Sequence, residues 1–65
     1  MYKIVSQFSV GNYTVLELDR PISERYYRSY QIDGKTYEAE IVYDLPKHVG
    51  IKAGGDFQGK ILICV

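Results

Sequence analysis

Apolar and polar residues alternate most cleanly between positions 25 and 42, on either side of the pair Asp33-Gly34. An Asp-Gly pair between β-prone runs suits a type I′ turn, because both central residues of that turn need positive φ. If these two residues are the loop, Ile32 faces Lys35, Tyr30 faces Tyr37, Arg28 faces Ala39 and Tyr26 faces Ile41 on one side of the ribbon. The other side pairs Gln31 with Thr36, Ser29 with Glu38, Tyr27 with Glu40 and Arg25 with Val42. One side is mainly apolar and the other polar, the division a half-buried antiparallel hairpin requires.

A second hairpin is expected around Gly11-Asn12, between strands Tyr2–Val10 and Tyr13–Leu18. A two-residue turn sets Val10 against Tyr13 and Phe8 against Val15, but it sets Val5 against Leu18 on the opposite side, beside Gln7 and Leu16. Both faces then carry apolar residues. A bulge that switches the buried side, or a four-residue loop, would account for this. The segment Asp19-Arg20-Pro21-Ile22-Ser23-Glu24 reads as a connection with one short helical turn near residues 21–25, Ser23 being a candidate cap. Further on, 48–52 can form a short strand, 53–57 a turn and 59–65 a last strand. Its final five residues are all apolar, so it is expected to be buried on both faces and paired with the first strand.

No segment keeps a period of 3.6 residues. The reading is therefore an all-β single domain over residues 1–65, a small five- to six-stranded antiparallel barrel, SH3-like or related. The alternative is an open curved sheet that dimerises through an edge or a face. Length makes closure matter: a chain of 65 residues hides only about 60% of its unfolded surface on folding. One cysteine, Cys64, forms no intrachain disulfide, and with a single histidine it makes no closed zinc site, so no cofactor is expected. Hydrophobic residues make up 46%, which argues against disorder. The N-terminal stretch turns polar too soon for a signal peptide and no apolar run reaches membrane-helix length, so a cytoplasmic protein without a membrane partner is expected.

Eight basic residues balance eight acidic ones, but unevenly along the chain. Residues 1–24 carry −1, 25–35 carry +2, 36–44 carry −3 and 45–65 carry +2. Tyrosines and flanking lysines suggest a weak RNA or single-strand site using Lys47, Lys52 and Lys60. A balanced field, however, releases few counterions. Gly54-Gly55-Asp56-Phe57-Gln58-Gly59-Lys60 matches half of a P-loop, yet Ile61 stands where Ser or Thr should bind magnesium, and a strand follows where a helix is needed. A weaker reading keeps the amides of Gly54 and Gly55 as an anion nest.

His48 and Cys64 would have to approach each other to act as base and nucleophile, and nothing in the spacing brings them together. Glu38 and Glu40 share one strand face, where ordinary ion pairing explains them as well as acid-base work does. Tyr26, Tyr30, Tyr37 and Tyr43 fall on the apolar side of the central hairpin, either as core or as an aromatic surface anchored by Arg28. The candidate interaction surface is accordingly Arg28, Tyr30, Tyr37, Lys47, His48, Lys52 and Lys60, with no catalytic, cofactor or metal residue assigned.

The turn and strand markers Gly11-Asn12-Tyr13, Ile32-Asp33-Gly34-Lys35, Tyr43-Asp44-Leu45-Pro46 and 51–60 resemble those of small uncharacterised β proteins of Gram-positive bacteria. The resemblance implies a barrel-like β fold and carries no activity with it. The leading expectation is a non-enzymatic protein-interaction or regulatory module, with a protein partner or a homodimer. Weak nucleic-acid binding comes second, and a small enzyme or ligand binder last.

Overall fold

A computed structural model of the chain describes residues 1–22, 29–40 and 46–64. These form six antiparallel strands: β1 (Tyr2–Val10), β2 (Tyr13–Leu18), β3 (Ser29–Ile32), β4 (Lys35–Glu40), β5 (His48–Ile51) and β6 (Ile61–Cys64). Hydrogen-bonded neighbours follow the order β1-β2-β5-β4-β3-β6 and return to β1, a closed barrel. β3, β4 and β5 succeed one another around the ring and β6 comes back beside β3, which is a Greek-key arrangement.

The central hairpin has the register that its turn residues dictate. Tyr30 stands opposite Tyr37 and Ile32 opposite Lys35. Asp33 and Gly34 both take positive φ, 54° and 81°. In the first hairpin Val10 stands opposite Tyr13 and Phe8 opposite Val15, but Ile4 rather than Val5 meets Leu18, because the register shifts between Ile4 and Ser6. A bulge at Val5 is therefore what reconciles the two apolar faces. Before it, Tyr2 and Ile4 point into the barrel. After it, the inward positions of β1 are Gln7 and Ser9, opposite Leu16 and Thr14.

The interior is filled by Tyr2, Ile4, Leu16, Leu18, Tyr30, Ile32, Val49, Ile51 and Leu62 from the strands, and by Ile22 and Phe57 from the connections. The last two seal opposite ends. Ile22 is held where its amide donates to the Pro46 carbonyl, 3.0 Å. Phe57 closes the other end with its ring edge-on to Tyr37, centroids 5.3 Å apart. Its amide donates to Gln7 Oε1 at 2.6 Å, while Gln7 Nε2 donates to the Gly55 carbonyl at 2.7 Å. Thr14 Oγ1 donates to the Ala53 carbonyl at 2.5 Å. The inward polar residues near this end thus bind the loop that carries the plug.

Two expectations change. Only Leu62 of the last strand is fully enclosed, whereas Ile61 and Ile63 are 44% and 39% exposed. A single-walled ring has one inner face, and nothing among the described residues covers the outer side of β6. Residues 53–57 do more than turn, since Phe57 reaches the core. The helical turn expected near residues 21–25 falls mostly on 23–28, outside the described residues; Pro21 and Ile22 are irregular. Tyr26, Arg28 and Tyr43 also lie outside them.

The plugging loop yields a sharp contrast between neighbouring glycines. Gly55 has φ +137° and an added Cβ would sit 3.3 Å from the Phe57 ring, whereas Gly54 has open space around it and no such φ. Gly55→Ala is expected to destabilise the fold by about 1–3 kcal/mol, and Gly54→Ala by less than about 0.5 kcal/mol. Urea midpoints of the two variants check this; equal midpoints would contradict the loop's role.

Candidate functional site

Every strand that turns alternate residues into a packed interior turns the others outward. Across β1, β2, β5 and β4 the outward positions form aligned rows. Ser6, Glu17 and His48 make one row; Phe8, Val15, Gly50 and Glu40 make the next; Val10 and Tyr13 continue toward Lys52 and Glu38. The face is divided. On β1 and β2 beyond Ser6 and Glu17 it is apolar, with Phe8 and Val10 each 50% exposed and Tyr13 39% exposed. Val15 stands among them and is buried, although it is not part of the core cluster. On β5 and β4 the face is charged.

Lys52 holds that charged half together. Its Nζ lies 3.0 Å from Glu40 Oε1 and 3.3 Å from Glu38 Oε1. Its amide also donates to the Glu38 carbonyl at 3.1 Å. The hydrogen bond to Glu40, then that to Glu38, raises the lysine's pKa above its ordinary value. At the other margin Ser6 Oγ donates to Glu17 Oε1, 2.6 Å.

His48 sits between the two halves. It opens β5 half-buried opposite Glu17, its ring centroid 6.4 Å from that of Phe8 and tilted by 57°. Nδ1 is buried without a hydrogen-bond partner. Strand pairing with β2 and the Phe8 ring partly enclose it. Cys64 lies on β6, on the far side of the ring from β5, so the two residues form no nucleophile-base pair.

The other candidates disperse. Tyr30 is a core residue, 3% exposed, and Tyr37 is half-buried against Phe57. Lys47 and Lys52 flank the four-residue β5, about 17 Å apart along an extended chain. Lys60 pairs with Asp33 at 3.3 Å, beside the β3–β4 turn. Of the seven residues, His48 and Lys52 alone belong to the divided face, and Arg28 lies outside the described residues. Phe8, Val10, Tyr13 and Val15 were not among the candidates. Their signal was the first hairpin's apolar residues on both faces, which leave one set outside wherever the bulge falls.

Gly54 and Gly55 precede a strand, and the Gly55 carbonyl is taken up by Gln7. Among the described residues no group of three or more His, Cys, Asp or Glu is placed to hold a metal, and no helix is long and apolar enough to cross a membrane. No protein family, curated protein or solved structure matches this chain.

The Lys52 ion pairs give the fold an alkaline signature. Because the folded lysine is the more basic, their contribution is complete below the ordinary lysine pKa of about 10.4 and is lost as pH rises through the higher folded value. The difference in melting temperature between the native chain and Lys52→Met is expected to shrink above about pH 10. A difference independent of pH would contradict the pairing.

Proposed function

We propose that this chain is a small non-enzymatic protein-interaction or regulatory module, an SH3-like or related Greek-key barrel that presents the outer face of β1 and β2 to another protein. The observation that carries the reading is the divided face: Phe8, Val10 and Tyr13 are each at least 39% exposed and adjacent, beside a fixed charged margin of Lys52, Glu38 and Glu40. Charge-poor aromatic centres with polar rims are the usual composition of recognition surfaces, and a few aromatic residues at the centre supply most of the affinity.

Binding of nucleic acid is the less favoured reading. Lys52 and Lys60 are committed to carboxylates, and Lys47 stands at the opposite end of β5 from Lys52. Cations neutralised and scattered in this way release few counterions on meeting a phosphate backbone. An enzymatic reading lacks a convergent polar constellation among the described residues.

The test is a photoreactive amino acid placed singly at Phe8, Tyr13 or Thr36, the last being an exposed position on β4. Irradiation in the native cells is expected to give discrete protein adducts from positions 8 and 13 and none from 36. Equal yields from all three positions, or none from 8 and 13, would overturn the reading.

A further inference from the structure

We propose that this protein self-associates by antiparallel pairing of β1 with β1 of a second copy. This rests on the interaction reading above and names its partner. β1 is the longest strand, yet its register with β6 covers Tyr2 and Lys3 only, with Ile4 adding bonds to Gly59 and Lys60. Beyond the bulge, β2 is its sole strand neighbour among the described residues. Among the described residues no backbone bond leaves residues 5–10 on the side away from β2. Among the described residues the barrel is therefore closed at one end of β1 and leaves an open edge along the other.

Which groups that edge offers follows from the turn. A two-residue loop places Val10 and Tyr13 in a mutually bonded pair, and bonded pairs alternate along an antiparallel ribbon. Phe8 with Val15 and Ser6 with Glu17 are then the further bonded pairs. The N–H and C=O groups of Gln7 and Ser9 consequently point away from β2, to the open side.

Free edges in monomeric proteins are normally blunted by lysine, proline or inward charge. The stretch Ile4-Val5-Ser6-Gln7-Phe8-Ser9-Val10 has no charge, no proline and no glycine, and its outward Phe8 and Val10 are half exposed. Its one irregularity, the bulge, lies at the closed end. A second copy is the occupant this edge fits. An uncharged strand meets itself without like-charge repulsion, and the whole chain has zero formal net charge. The symmetric register that bonds both free residues is centred on Phe8. Gln7 pairs with Ser9 of the second copy, Ser9 with its Gln7, and the two Phe8 rings meet across the twofold axis on the outer face. Four backbone hydrogen bonds and an aromatic cross-strand pair result.

Amide hydrogen exchange on the native chain from about 10 μM to 1 mM, followed alongside sedimentation, tests the proposal. Exchange at Gln7 and Ser9 is expected to slow as dimer accumulates, while Ser6, Phe8 and Val10, bonded to β2, stay protected throughout. Ser9→Pro removes a donor directed at the edge and not at β2, so the hairpin should persist while the dimer dissociation constant rises at least about 10-fold. A chain that stays monomeric at the highest concentration overturns the proposal. So does a dimer in which Gln7 and Ser9 exchange unchanged. If photoreactive positions 8 and 13 still capture other proteins in either case, self-pairing has failed and the interaction reading stands. Loss of both signals removes both.

Discussion

The extra residue at Val5 decides the character of the whole molecule, because a strand has period two and one added residue exchanges its faces. Ahead of the bulge β1 lines the barrel with Tyr2 and Ile4. Past it, the same strand turns Gln7 inward and Phe8 and Val10 outward. Without that exchange Phe8 would compete for a small interior already occupied by Phe57, and Gln7 would stand in solvent. The Gln7 clamp, the plug it holds and the apolar outer face are all consequences of this one insertion.

A half-buried glutamine near the mouth of a small barrel would be a liability if its amide were idle. Here both ends of the amide are used, the oxygen by the Phe57 N–H and the nitrogen by the Gly55 carbonyl. The loop that follows β5 is irregular backbone, and irregular backbone next to a core needs partners for its polar groups. Gln7 and Thr14 supply them from neighbouring strands. The aromatic plug is thereby fixed from both sides, by packing against Tyr37 and by hydrogen bonds to the wall.

How much of this is written in local sequence differs from one hairpin to the other. Asp33-Gly34 has a turn chemistry with essentially one reading and flanks whose two sides are mainly apolar and mainly polar, so the register of β3 and β4 follows from the residues alone. The first hairpin shows the conflict plainly, apolar residues on both faces, but bulge and longer loop satisfy it equally, and only tertiary pairing of Ile4 with Leu18 chooses. The candidate site was less legible still. Tyr30 and Tyr37 drew notice as aromatic residues near basic ones, yet in so short a chain aromatic side chains go first to fill the interior. Phe57, between an aspartate and a glutamine in a glycine-rich loop, gives no local sign that it is core. His48 falls in an expected strand, but nothing in its neighbours announces Glu17 and Phe8 beside it.

Closure of the ring also has a kinetic side. Tyr2 pairs with Leu62 and Lys3 with Ile61, so the seam joins residues from opposite ends of the chain. The two hairpins are local and form quickly, but the seam must wait for a long loop to close, and contacts of such sequence separation slow folding. Until residues 61–62 arrive, the side of β1 destined for β6 is open, as is the stretch past Val5 that no described strand but β2 borders. During that interval the whole of β1 is unpaired on one side, so the order in which its two halves find neighbours governs whether a chain completes its own barrel or is captured by another.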